Sequence, residues 1–232
     1  MASERSASSS KSSASDASPA PARRPRPLPR RFFARPTLVV ARALLGCRLW
    51  HRRGDQIVGG RIVEVEAYTD DDASHSRRGR PTPRNAVMFG PAGHAYVYFT
   101  YGMHFCFNVV AKNDRVPGAV LIRGLDGIAG AHGPGRLCRA LGLDRHHNQL
   151  DLTLGPPLWI ERGRLRRSEH VVQTTRVGIR LATDLPWRFY VAGSPGVSRR
   201  DRGAEPGASD SRRRRSHPGG PGVRRRKAAP AT

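Results

Sequence analysis

Two carboxylates and a phenol stand close together in the run Arg61 to Tyr68 (RIVEVEAY). Side chains alternate faces along an extended chain, so Ile62, Glu64, Glu66 and Tyr68 share one face while Val63, Val65 and Ala67 share the other. Glutamate is a poor strand former, and two glutamates side by side repel each other unless something compensates. Two readings follow. The run is an edge strand that shows its charges to water, or it holds a carboxylate at the mouth of a site as a general base, its proton affinity raised by partial burial or by its charged neighbour.

A second group of polar side chains falls on two successive strand-like runs. Tyr96, Tyr98 and Thr100 share a face of the first, and His104, Cys106 and Asn108 share a face of the second. Four of the five tyrosines, Tyr68, Tyr96, Tyr98 and Tyr101, lie within 34 residues. Planar rings with hydrogen-bonding groups are what a flat heterocycle needs, although an aromatic stripe at strand spacing also serves core packing. His75 sits in a polar stretch between three aspartates and a group of arginines, where a surface histidine is the ordinary reading. Arg123 closes an otherwise apolar strand, and a half-buried guanidinium requires a carboxylate or phosphate partner.

The elements that must position these groups are legible as follows. Pro36 to Gly46 has apolar residues at helical spacing, with Thr37 as N-cap and Gly46 as stop. Cys47 to Trp50 and Gln56 to Tyr68 are strands joined by a turn near Arg53, Gly54 and Asp55. Asp70 to Arg84 is a polar loop. His94 to Phe99 and His104 to Ala111 form a hairpin whose tip carries Tyr101, with Gly102 supplying the positive backbone angle. Gly118 to Arg123 is a strand, and Leu137 to Leu143 is a helix opened by Gly133-Pro134-Gly135. Leu158 to Glu161, Arg176 to Ala182 and Arg188 to Val191 are further strands. The expected fold is α+β: a single domain with a mixed, mostly antiparallel curved β-sheet, peripheral helices, a protruding β-hairpin and disordered basic tails.

Composition sets the partner class. The chain has 232 residues, 38% of them hydrophobic, and a formal net charge of +23. Residues 1–31 are Ser/Ala- and then Pro/Arg-rich and 199–232 are Arg/Gly/Pro-rich, so both are expected to be disordered arms around a domain at 32–198. The tails account for +5 and +8 of the charge, which leaves +10 on the body. Nucleic acid is therefore the leading partner, ahead of a merely solvated basic surface. No apolar run is long enough to span a membrane as a helix, and no secretory leader is expected. Cys47, Cys106 and Cys138 form no CxxC pair, so neither a disulfide framework nor a structural zinc site is expected. The motifs of zinc hydrolases, P-loop enzymes, α/β-hydrolases and zinc deaminases are missing. Lys11, Lys112 and Lys227 are the only lysines, which disfavours Schiff-base chemistry.

Six segments in order then coincide with a known family: GRIVEVEAY (60–68), ASHSRRGRPTPRNAVMF (73–89), YVYFTYGMHFCFN (96–108), VLIRGL (120–125), GPGRLCRALG (133–142) and RFYVAGSPGVS (188–198). Through them the chain resembles the alkyladenine (3-methyladenine) DNA glycosylases of the non-helix-hairpin-helix type. The resemblance implies a monofunctional enzyme that extrudes alkylated, ethenylated or deaminated purines from duplex DNA and hydrolyses the N-glycosidic bond, leaving an abasic site. It implies that Glu66 activates the water, that Tyr68, His75 and Tyr98 line the base pocket, and that Asn108 excludes bases with an extra exocyclic amine. Tyr101 would wedge into the duplex, and Arg123 would steady the site near the flipped nucleotide's phosphate. No cofactor and no metal are implied; the partner is double-stranded DNA containing damaged purines, with no membrane association, and the protein is expected as a monomer in the nucleoid-containing cytoplasm of a bacterium or the nucleus of a eukaryote. A non-catalytic nucleic-acid-binding module of the same fold, or an RNA-binding domain, is the alternative. Gly196 departs from the family pattern, in which a bulky aromatic is frequent, and the departure is expected to loosen packing near the C-terminus. Both tails are unmatched.

Overall fold

The computed structural model describes residues 24–70, 80–100, 102–111 and 117–200. Eight strands make up one sheet: β1 (Arg48–Arg53), β2 (Gln56–Tyr68), β3 (Ala95–Thr100), β4 (His104–Val110), β5 (Ala119–Asp126), β6 (Leu158–Glu161), β7 (Val171–Thr174) and β8 (Arg188–Val191). Helices α1 (Arg30–Phe33), α2 (Thr37–Leu44) and α3 (Pro134–Leu141) lie around it. The fold class is the expected α+β, with one difference. Every strand pairing among the described residues is antiparallel, so the sheet is not mixed.

The spine is β2, a strand of 13 residues. Its first half pairs with β1 and its second half with β8 along one edge, while β5 runs along the other. Glu64 to Glu66 thus has a strand on each side, which removes the edge-strand reading. Both faces are covered as well, since Ile62 to Ala67 are all buried. The two faces alternate as expected, but burial does not, because α2 and the core close the side of Val63, Val65 and Ala67 while polar partners close the side of Glu64 and Glu66.

Local chemistry explains most of the elements. Val40, Ala41 and Leu44 of α2 fall on one face and join Leu49, Ile62, Ile122, Leu137 and Leu141 in a single core. Thr37 is the first residue of that helix and Pro36 takes the N-cap position without a side-chain cap, contrary to the expected Thr37 cap; the proline, fixed in φ, precedes the first turn and leaves threonine no place outside it. The β3–β4 hairpin turns through Gly102 at a φ of +67°, closed by the Met103 N–H on the Thr100 carbonyl at 3.2 Å. Tyr101 lies outside the described residues, as does His75. So do the lysines and most of both expected tails.

Three further expectations are corrected. Residues 24–31, expected within the disordered arm, pack on the body where described: Leu28 is buried and donates its N–H to the Ile160 carbonyl at 2.8 Å. Arg30 there pairs with Asp151 and donates to the Ala92 carbonyl at 2.7 Å. One well-placed apolar residue, Leu28, and the ion pair of Arg30 override the polar average of the segment. Arg176 to Ala182 is an irregular loop, while the strand that pairs with β8 is Val171–Thr174. Gly178 at φ +77° and Ala182 at φ +48° interrupt the extended path that the alternating pattern implies.

Gly196 proves to be a tight contact and not a loosened one. Its N–H donates to Asp126 Oδ1 at 2.9 Å, and a Cβ there would sit 2.6 Å from the Leu125 carbonyl carbon. Gly196→Phe is expected to destabilise the protein by about 1–3 kcal/mol through overpacking, seen as a lower midpoint in thermal unfolding. An unchanged midpoint would show that this backbone contact yields freely.

Candidate active site

The pairing of β2 with β5 is irregular where the charges lie. Register shifts flank Glu64, so that Glu64 faces Gly124 and Val65 faces Ile122, and Arg123 drops out of the ladder. Bulges of this kind re-aim side chains. Here they turn Arg123 onto both carboxylates. Its Nε donates to Glu64 Oε1 at 3.3 Å, its Nη1 to Glu66 Oε2 at 3.3 Å, and its Nη2 to Ser198 Oγ at 3.4 Å.

Glu64 and Glu66 are each 0% exposed, and buried charges persist only when paired and hydrogen-bonded. Glu66 Oε2 also accepts from the Tyr68 hydroxyl at 2.8 Å, and its Oε1 accepts from the Val177 N–H at 2.7 Å. Glu64 Oε1 takes a second guanidinium, Arg188 Nε at 2.8 Å, and Oε2 takes the Ser198 N–H at 2.6 Å. Burial works against the charge on Arg123, but Glu66 and Glu64 outweigh it and hold the guanidinium above its ordinary range. Burial, then the adjoining Glu66 charge, pushes the Tyr68 hydroxyl upward, so it stays a donor.

Beside this network lies a cavity of about 460 Å³, within the range of small-ligand sites. Tyr68, Arg123 and Val177 line it, so all three donors to Glu66 form its wall while the carboxylate sits behind them. The opposite wall comes from the hairpin. Tyr96 pairs with Asn108 and Tyr98 with Cys106 across the two strands, which puts the two expected faces together as one surface; all four line the cavity. The Tyr96 and Tyr98 rings lie 5.2 Å apart. Burial raises the proton affinity of both hydroxyls and of the Cys106 thiol, so the wall is neutral at ordinary pH. Asn108 Nδ2 donates to the Tyr96 carbonyl at 3.1 Å, which fixes the amide and leaves its other groups to the cavity.

Of the seven positions singled out from the sequence, Glu66, Tyr68, Tyr98, Asn108 and Arg123 therefore converge on one place. His75 and Tyr101 fall outside the described residues.

Several participants escaped the sequence reading. Arg176 lays its guanidinium over the Tyr68 ring at 4.8 Å and over Trp187 at 5.1 Å, and its Nη1 donates to the Ala67 carbonyl at 3.1 Å. Arg84 covers the Tyr98 ring at 5.8 Å. The loop from Val177 to Leu181 lines the cavity along its length. A glycine inside an alternating apolar run was the available signal for that loop. Nothing in the order of residues announces that Arg188 and Ser198 serve Glu64, because those partners lie 124 and 134 positions away.

Comparison with known proteins bears on this arrangement. Residues 31–195 match the family model described as methylpurine-DNA glycosylase. A protein of Carboxydothermus hydrogenoformans is 45% identical over 190 residues, covering 75% of this chain and 99% of its own length. One from Methanoculleus marisnigri is 48% identical over 198 residues, with the same two shares. One from Synechococcus elongatus is 49% identical over 182 residues, covering 74% of this chain and 91% of its own. All three bear the name 3-methyladenine DNA glycosylase as an assignment and not as a demonstrated activity. The matched span takes in both buried glutamates, both walls of the cavity and Arg188, and on that ground the chain belongs to the methylpurine-DNA glycosylase family.

Proposed function

We propose that the protein removes alkylated purines such as 3-methyladenine from double-stranded DNA by hydrolysis, with Glu66 as the general base. The observation that carries the reading is the carboxylate of Glu66, fully buried yet held by three donors that all line the cavity. An ionised carboxylate offers about four acceptor positions. Three are filled, which leaves one for a water at the cavity wall.

A base stacked in a duplex is unreachable, and extrusion into a pocket is general among DNA glycosylases. The cavity's tyrosines give the extruded purine faces to stack on, and an alkylated, electron-poor ring stacks on them well. The water then attacks C1′ of the sugar and passes a proton to Glu66. The C1′–N bond breaks with its electron pair going to the base, and a purine alkylated at N3 or N7 departs neutral. Negative charge at Glu66 also favours the sugar while it is cationic. Asn108, fixed by its bond to the Tyr96 carbonyl, presents polar groups against which an additional exocyclic amine is poorly matched. Tyr101 would fill the gap left in the duplex, and His75 would complete the pocket.

Incubation with methylated duplex DNA is expected to release free 3-methyladenine and to leave alkali-labile abasic sites in unbroken strands. Absence of base release from a folded, DNA-binding preparation would overturn the assignment. Strand scission without alkali would overturn hydrolysis by water alone.

A further inference from the structure

We infer that Glu64 is a positioning residue for the reaction: it takes part of the charge of Arg123, and so sets how strongly that cation restrains Glu66. The inference rests on the reading of Glu66 as the base. A carboxylate in a close two-pronged pair with a guanidinium is a poor proton acceptor. Glu66 avoids such a pair. Arg123 is turned so that one nitrogen, Nη1, reaches Glu66 at 3.3 Å while Nε goes to Glu64 and Nη2 to Ser198.

Glu64 holds that orientation from a fixed place. The Ser198 N–H and the Arg188 Nε bind it at 2.6 and 2.8 Å, closer than either contact of Arg123. Arg188 is itself fully buried and lies against the Tyr190 ring at 4.7 Å. Two carboxylates and two guanidinium groups thus balance, but unequally in geometry: Glu64 has the stronger share of cations and Glu66 the weaker. One further cation lies near, Arg176 of the loop after β7, whose guanidinium sits over the Tyr68 ring at 4.8 Å and donates to the Ala67 carbonyl at 3.1 Å. Tyr68 on β2, Tyr98 on β3 and Cys106 on β4 all have proton affinities raised by burial and remain neutral. Glu64 on β2, Arg123 on β5 and Arg188 on β8 are the charged groups that hydrogen-bond within the cluster, and Arg176 is a background cation that both variants below leave in place.

Opposite changes to the pair make opposite predictions. In Glu64→Gln, Arg123 keeps Glu66 as its sole carboxylate, the contact tightens, and the acidic limb of the pH–rate profile moves to lower pH while the single-turnover rate at neutral pH falls about tenfold. In Arg188→Gln, Glu64 draws Arg123 towards itself, Glu66 is less restrained, and the limb moves to higher pH. Both proteins are assayed on a duplex with one defined lesion, with thermal unfolding as a control on the fold. If one variant does not fold, the direction of the limb in the other decides. A limb that stays at the wild-type position in a folded variant, whatever its rate, overturns the positioning role and leaves Glu66 as the base. Full turnover by Glu66→Gln in the same assay overturns the base assignment instead.

Discussion

Glu66→Gln is expected to lower single-turnover base release by about 10²–10⁴-fold, the usual contribution of a positioned general base, while lesion-containing duplex still binds. The substitution is nearly isosteric, but the chemistry around it changes. Three donors converge on the carboxylate, from Tyr68, Arg123 and Val177. An amide has one oxygen to offer them, and its nitrogen is itself a donor. The Tyr68 hydroxyl is able to reverse and accept from that nitrogen; the Val177 N–H and the guanidinium are not. A stability loss of about 1–3 kcal/mol from an unmatched buried donor is expected beside the kinetic effect, so rate and thermal midpoint must be measured on the same preparation. The stacking walls, Tyr96 and Tyr98, are untouched, and retained lesion binding separates a lost base from a collapsed pocket. Normal turnover would remove Glu66 from the mechanism.

That prediction was within reach of the sequence, because the face shared by Glu64, Glu66 and Tyr68 is a local property of an extended chain. The hairpin was equally legible: alternation on each arm put Tyr96 and Tyr98 opposite Asn108 and Cys106 once the turn at Gly102 set the register. What stayed hidden is set by distant parts of the chain. Whether RIVEVEAY lies at an edge or in the interior depends on β8, which pairs with Glu64 to Glu66 from more than a hundred residues further on. The bulge that frees Arg123 depends on two strands together, and alternation within either one does not reveal it. Arg176 to Ala182 shows the converse failure, in which a local pattern suggests a strand but the Val177 N–H binds Glu66 instead of a neighbouring strand. Leu28 to Arg31 failed for a simpler reason. Averaging over a polar segment conceals a single apolar residue, Leu28, that finds the core.

The same burial that makes Glu66 useful makes Arg123 indispensable. Arg123→Met is expected to abolish base release and to cost about 3–5 kcal/mol of stability, the penalty for leaving buried charge without its partner. Arg188 still serves Glu64, so the exposed deficit falls mainly on Glu66, which keeps only the Tyr68 hydroxyl and the Val177 N–H. The pH dependence has a definite sign. In the native protein the proton affinity of Arg123 is raised above its ordinary value, so its stabilisation is present throughout the acidic, neutral and mildly alkaline range and is lost only in strong alkali. In the variant, a buried carboxylate without its cation is relieved by taking up a proton. The difference in thermal midpoint between variant and wild type should therefore narrow as the solution is made more acidic. Arg123→Lys should recover part of the stability through its charge, yet little of the rate, because one ammonium group lacks the fork needed to meet Glu64, Glu66 and Ser198 together. A midpoint for Arg123→Met equal to wild type at neutral pH would mean that the two carboxylates do not both carry charge and hold a proton between them instead.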